Sequence, residues 1–174
     1  MFFLQMSGVP GSGKSTLARA LAKKTGAVVL DHDVVKSALL ESDGAEFDTR
    51  VAGKMSYDIE WALVESFLAQ GLSVILDSPC LYTVMVEKGT ALAYKHQATY
   101  KYVECILEDI HEIDTRLQTR PALTSQNRQV TSKETFLAAF GTSQKPTHTQ
   151  PLLVDSSRPL DSYLDKVLAY VQES

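Results

Sequence analysis

Cysteine is scarce in this chain, which has only Cys80 and Cys105 among its 174 residues. Neither belongs to a C-x-x-C pair or to another spacing typical of metal ligands, so the sequence predicts neither a disulfide framework nor a structural zinc site. Cys105 lies within an apolar run, which indicates a core position. We expect both thiols to be reduced and assign neither a catalytic role.

Long hydrophobic runs are also missing. The apolar stretches have the length of strands, which excludes a transmembrane helix. Met1 leads directly into the first of these stretches, so we expect no removable signal peptide and a cytoplasmic location.

The chain has no excess of positive charge, with 17 Lys and Arg against 21 Asp and Glu and a net charge of −4. This balance disfavours nucleic acid as a partner and gives no attraction to an anionic membrane. The length and the ordinary hydrophobic content of 44% predict a single domain over residues 1–174. No internal repeat is visible.

The most informative segment that is present lies close to the start. Residues 8–15 match G-x-x-x-x-G-K-S, the phosphate-binding loop (P-loop) of nucleoside triphosphate proteins. An apolar run, 2–6, precedes the loop, and a segment with helical spacing of apolar residues, 15–25, follows it. Strand, glycine-rich turn and helix in this order are the context that the motif requires. The predicted nucleotide-binding residues are Gly8, Val9, Pro10, Gly11, Ser12, Gly13, Lys14, Ser15 and Thr16.

The chemistry of this loop follows from its residue types. Glycines let successive amides point into one concavity, and the positive end of the following helix adds to the field there. We expect the Lys14 ammonium to contact the β- and γ-phosphates and the Ser15 hydroxyl to bind Mg²⁺. The sequence therefore predicts ATP and Mg²⁺ as cofactors.

The rest of the chain alternates between strand and helix patterns. Further strands are predicted at 27–30, 73–76, 102–107 and 152–154, and helices at 51–70, 84–96, 110–119 and from Leu160 onward. In the longest helix Val51, Met55, Ile59, Leu63 and Phe67 recur at every fourth residue. The alternation predicts an α/β fold with a parallel sheet, in which ligands bind beyond the carboxyl ends of the strands.

The segment from Pro121 to Pro151 is the least regular part of the chain. It contains one short apolar cluster, 136–140, within polar surroundings. We interpret residues 116–150 as a lid or variable segment over the site, with an inert loop as the alternative.

The pattern resembles the small P-loop kinases grouped with polynucleotide 5′-kinases, chloramphenicol phosphotransferase, gluconate kinase and zeta toxins. Three segments carry the resemblance: the loop 8–16, the run 28–36 with an aspartate followed three residues later by a basic residue, and the run 71–77 that ends in Asp77. The resemblance implies a three-layer fold with a five-stranded parallel sheet in the order 2-3-1-4-5. It also implies ATP as the phosphoryl donor and Mg²⁺ as its metal.

The resemblance further assigns roles to individual residues. Asp33 is expected to orient the acceptor hydroxyl or take its proton, with Asp31 as the rival and a plain strand-end turn as the alternative for both. Asp77 is expected to act on Mg²⁺. Arg116 and Arg120 are similar to lid arginines that stabilise charge on the γ-phosphate, although pairing with acidic neighbours explains them equally well.

The acceptor side is less well marked. Lys36 replaces the arginine that is common at its position, and a solvated helix face is an equal explanation for it. Arg50 and Tyr57 are weak candidates for acceptor contacts, and Trp61, four residues after Tyr57, suits packing as well as contact. His32 between two aspartates does not suit a metal.

The sequence thus favours an ATP-dependent kinase with a hydroxyl-bearing small molecule or nucleoside as acceptor. A polynucleotide 5′-kinase and an ATPase or nucleotide-dependent switch are the alternatives. No obligate protein partner is indicated.

Overall fold

A computed structural model describes residues 1–42, 48–141 and 143–173. These residues contain five strands and seven α-helices. The strands are β1 (Phe2–Ser7), β2 (Val28–Asp31), β3 (Val74–Asp77), β4 (Thr99–Ile106) and β5 (Leu152–Asp155). The helices are α1 (Lys14–Thr25), α2 (His32–Leu40), α3 (Thr49–Ala69), α4 (Thr83–Lys95), α5 (Ile110–Thr119), α6 (Lys133–Phe140) and α7 (Leu164–Gln172).

The strands form one parallel sheet in the order β2-β3-β1-β4-β5, which confirms the predicted topology. β1 lies at its centre, and all six of its residues are buried. Alternate β1 side chains enter separate cores. Phe2, Leu4 and Met6 pack with α1 and α7, while Phe3 packs with α3 and α4. Helices therefore cover both faces of the sheet, as expected for a buried parallel sheet.

The buried face of helix α3 differs from the face that the spacing of its apolar residues predicts. Its buried side chains are Ala52, Ser56, Glu60, Trp61, Val64 and Leu68. Val51 and Ile59, which belong to the predicted apolar stripe, are 45% and 38% exposed. The apolar pattern does not identify the buried face, because Ser56 and Glu60 are polar residues at buried positions.

Several predicted boundaries also differ from the structure. β4 begins three residues earlier than predicted, because Thr99 and Lys101 continue its pairing with β1, and the buried Lys101 lies over the ring of Tyr170. A 3-10 turn, Leu160–Ser162, precedes α7, which begins only at Leu164. β2 ends at Asp31, and α2 begins at the next residue. None of the described helices is both long and apolar enough to cross a lipid bilayer.

Candidate active site

The P-loop connects β1 to α1 and lies against the end of β4. Gly8 has a φ of +131°, and a Cβ atom at this position would lie 2.4 Å from the carbonyl oxygen of Cys105. Any other residue would both strain the backbone and collide with β4. This close approach explains why the motif needs glycine at its first position.

The amino end of α1 is open to an anion. Gly13 caps the helix with a φ of +86° and provides no side-chain hydrogen bond, so the first-turn amides have no side-chain acceptor there. The Lys14 ammonium crosses the loop and donates to the carbonyl oxygens of Gly8 (2.7 Å) and Val9 (3.1 Å). Free amides, a helix dipole and a cation together form a site suited to phosphate groups.

Asp77 and Ser15 fit the Mg²⁺ site that the fold family implies. Asp77 ends β3 and is buried, and its Oδ2 has no hydrogen-bond partner among the described residues. Burial raises the pKa of this carboxyl to about 6, while Lys14 and the Ser15 hydroxyl act in the opposite direction. An unpartnered buried carboxylate oxygen beside a hydroxyl provides the oxygen ligands that Mg²⁺ prefers.

These groups open into a cleft of about 1240 Å³ beyond the carboxyl ends of the strands. A pocket for one drug-sized ligand has roughly 300–1,000 Å³, so this cleft has room for a nucleotide and an acceptor together. Apart from the P-loop, it is lined by charged and polar side chains from several elements: Arg19, His32, Asp33, Lys36, Arg50, Lys54, Tyr57, Asp77, Arg116, Arg120, Ser125, Gln126 and Arg158.

Asp33 lies in this cleft as the second residue of α2. Its Oδ2 accepts a hydrogen bond from Gln126 Nε2 at 2.8 Å. Asp31, its rival candidate, does not share this position, because it ends β2 and precedes α2. One Asp31 oxygen caps α2 by accepting from the amide of Asp33, and the other pairs with Arg19 at 3.1 Å. With both its oxygens engaged, Asp31 is the weaker candidate for a base.

Both predicted lid arginines line the cleft, but their surroundings differ. Arg116 pairs with Glu112 and donates to the Ser156 carbonyl oxygen at 2.9 Å. It therefore forms the acidic pairing expected of a surface residue and also lines the cleft. Arg120 follows the end of α5 and donates to the Asn127 carbonyl oxygen at 3.2 Å. Its buried Nε has no partner among the described residues.

The residues considered for acceptor contacts on α2 and α3, Lys36, Arg50 and Tyr57, line the cleft. Arg50 lies within α3 and not before it. Trp61 is not part of the cleft, because it is buried in the core with its ring edge toward Phe3, at 6.2 Å between centroids. Lys54 was overlooked. Its signal is the helical spacing from Arg50 through Lys54 to Tyr57, which places all three on one face.

His32 has a buried side-chain partner. Its Nδ1 lies 2.8 Å from Oε1 of Glu60, a fully buried residue that sequence reasoning missed. No group of three or more metal-ligating side chains occurs within the parts of the chain that the structure describes.

The beginning of the irregular segment is docked onto α2. The Ser125 hydroxyl donates to the Asp33 carbonyl oxygen at 3.0 Å, and the Ser37 hydroxyl donates to Ser125 Oγ at 2.9 Å. Arg128, another arginine of this segment, is exposed and does not line the cleft. The apolar cluster at 136–140 belongs to α6, whose Phe136 packs against Ile113 and Leu117 of α5.

Comparisons with known proteins agree with this geometry. A family model described as an AAA domain matches residues 4–140. No curated protein matches the chain.

Several solved structures share the fold. A protein from Chloroflexus aurantiacus, provisionally described as a kinase, aligns with a TM-score of 0.79 and 18% identity over 98% of both chains. Kti12 from Chaetomium thermophilum, solved in complex with ADP-AlF3, has a TM-score of 0.67 and 15% identity over 98% of this chain and 100% of Kti12. A gluconokinase from Sinorhizobium meliloti has a TM-score of 0.61 and 18% identity over 98% of this chain and 91% of its own.

The AAA domain model covers most of the chain, and the sheet order agrees with the order that the resemblance to small P-loop kinases implies. The chain therefore belongs to this AAA-domain family.

Proposed function

We propose that this protein transfers the γ-phosphate of ATP to a hydroxyl group of a small molecule. The observation that carries the proposal is that Asp33 and the P-loop face one cleft. A carboxylate across from a phosphate site is suited to orient an attacking hydroxyl.

We assign the residues of the cleft separate roles in phosphoryl transfer. The P-loop amides and Lys14 hold the phosphate chain, and Asp33 accepts the proton of the attacking hydroxyl. Arg116 and Arg120 stabilise the charge that develops on the transferred group. Ser15 and Asp77 would hold Mg²⁺, which supplies neutralisation of the β- and γ-phosphate oxygens when bound.

The charges on the acceptor side favour an acceptor that is itself negatively charged. Lys36, Arg50 and Lys54 line the cleft from α2 and α3, and no described carboxylate lies within 4.0 Å of their charged nitrogens. The cluster is local, because the chain as a whole carries a net charge of −4. A carboxylate or phosphate group on the acceptor would neutralise it.

The test follows label from γ-labelled ATP in the presence of Mg²⁺. Separate reactions contain sugar acids and sugar phosphates, neutral alcohols and sugars, nucleosides, or 5′-hydroxyl oligonucleotides. Lys14→Ala is the control for contaminating kinases, because it removes the cation of the phosphate site. We expect label in a new organic product with the anionic pool and none with Lys14→Ala.

Two results would contradict the proposal in different ways. Label that appears only as inorganic phosphate, at a rate that no pool changes, indicates an ATPase or a nucleotide-dependent switch. Label that moves only to oligonucleotides indicates a polynucleotide 5′-kinase.

A further inference from the structure

The carboxyl group of Glu60 is buried, where a charged group is energetically unfavourable. It lies on the inward face of α3, directly before the core residue Trp61, and has 0% exposure. Its Oε1 contacts His32, while its Oε2 has no partner among the described residues. An isolated carboxylate at such a position costs several kcal/mol, so the group needs a proton or a cation beside it.

His32 is held in one orientation by two contacts. Its Nδ1 faces Glu60 Oε1 at 2.8 Å, and its ring stacks on Tyr57 with centroids 4.2 Å apart and planes 22° apart. His32 is 7% exposed and belongs to the lining of the cleft. Its Nε2 forms no hydrogen bond with a described residue and is not one of the fully buried polar atoms that lack a partner, so part of its surface is exposed.

The proton count of the pair determines what Nε2 presents to the cleft. In two arrangements with no net charge the proton lies between Oε1 and Nδ1: a carboxylate with an imidazolium, or a carboxylic acid that donates to the Nδ1 of a neutral imidazole. In both of these Nε2 carries a proton. Nε2 is bare in a pair with a net negative charge, which would bury an uncompensated carboxylate, and in a neutral pair with the acid proton on Oε2, which would bury an O–H donor without an acceptor among the described residues.

The neighbouring groups oppose that negative state. Asp31 at the end of β2 and Asp33 on α2 are both acidic, and Tyr57 on α3 is neutral because burial raises its pKa. Burial raises the pKa of Glu60, against the effect of His32, and both aspartates add to the increase. The surroundings thus retain the shared proton.

We propose that His32 donates a hydrogen bond from Nε2–H to an oxygen atom of the acceptor, beside Asp33, with Glu60 and Tyr57 as the residues that position the ring. The proposal rests on the proposed kinase function and names a further residue that selects the acceptor. It requires that the acceptor present a carboxylate, phosphate, carbonyl or hydroxyl oxygen at this position.

The first test needs neither an acceptor nor activity. The ligand-free protein is labelled with ¹⁵N-histidine, and the ring nitrogens are observed by NMR at pH 7.5, above the ordinary histidine pKa of about 6.5. His32→Gln assigns the signals, and the exposed His111 is the internal control. We expect a protonated Nε2 on His32, with the signals of His111 as the reference. A bare Nε2 on His32 overturns the inference, whatever the assay of kinase function shows.

The second test uses the acceptor that the labelling assay identifies. His32→Phe with Glu60→Gln keeps a stacked ring and removes the donor and the buried charge, whereas His32→Gln retains an N–H donor. We expect the first variant to raise the acceptor KM roughly tenfold, as the loss of one hydrogen bond predicts, with the ATP KM unchanged. His32→Gln should recover most of the affinity. An unchanged acceptor KM in the first variant refutes the role of His32 and leaves the kinase function standing.

Discussion

At the scale of single residues, Asp33 has the surroundings expected of a carboxylate that acts as a general base. It lies in the cleft, and Gln126 donates a hydrogen bond to its Oδ2. That contact restricts the rotation of the side chain and leaves the other oxygen for an acceptor. Asp31, two residues earlier, is occupied by the cap of α2 and by Arg19.

Asp33→Asn is expected to lower kcat by about 10²–10⁴-fold, the usual contribution of a general base. Asparagine has nearly the same size and still accepts from Gln126, but it cannot take a proton. The affinity for ATP should change by less than about twofold, because Asp33 does not belong to the phosphate loop. Steady-state kinetics and calorimetric titration with a non-hydrolysable ATP analogue measure the two effects. Asp58→Asn, an exposed position on α3, controls for the change in charge, and normal turnover by Asp33→Asn would remove this residue from catalysis.

At the scale of elements, α3 connects the core to the acceptor side of the cleft. Its buried face carries Trp61, Val64 and Leu68, and its cleft face carries Arg50 and Tyr57. Glu60, on the buried face, contacts His32, and His32 lines the cleft. The position of this helix therefore sets the position of the groups that we assign to the acceptor.

Two truncations on α3 test which of its faces packs. Leu68→Ala should lower the free energy of unfolding by about 2–5 kcal/mol, because Leu68 is 2% exposed and its removal leaves a cavity. Ile59→Ala should cost less than about 1 kcal/mol, because Ile59 is 38% exposed. Urea denaturation followed by circular dichroism measures both values. Equal losses of unfolding free energy in the two variants would show that the apolar stripe, and not the observed face, packs on the sheet.

At the scale of the whole molecule, the sheet separates two cores, each with one buried cysteine. Cys105 packs with α1 and α7, and Cys80 packs with α3 and α4. Burial raises the pKa of both thiols to about 12. At pH 8 almost no reactive thiolate is present, so labelling requires opening of the core. We propose that the two cores form one domain and open together.

Thiol labelling tests this cooperativity. We expect neither cysteine to react with a disulfide reagent within minutes in the native protein at pH 8, and both to react at equal rates as urea increases. Mass spectrometry of the labelled peptides distinguishes the two sites, and the fully unfolded protein gives the reference rate. Much faster labelling of one cysteine would show that its side of the sheet opens separately, against a single domain.

The residues that we assign to the acceptor show what the sequence did not predict. Lys36, Arg50 and Tyr57 were candidates without a clear role, and Lys54 and Glu60 were absent from the interpretation. Glu60 is a charged residue in a helix, which ordinarily indicates exposure. Its contact with His32 spans 28 positions in the chain, and no local pattern reveals a pairing of that kind.

The sequence by itself determined the phosphate-binding loop and the order of the five strands and the helices α1, α3, α4, α5 and α7, whereas α2 and α6 were not predicted. Both depend on local patterns, because glycine spacing, apolar runs and helix ends act within a few residues. Only the tertiary structure decided that Asp31 caps a helix while Asp33 faces the cleft, that Trp61 belongs to the core, and that Glu60 orients His32. The positions of Trp61 and Glu60 depend on which face of α3 packs against the sheet, and that choice is made by contacts between residues far apart in the chain.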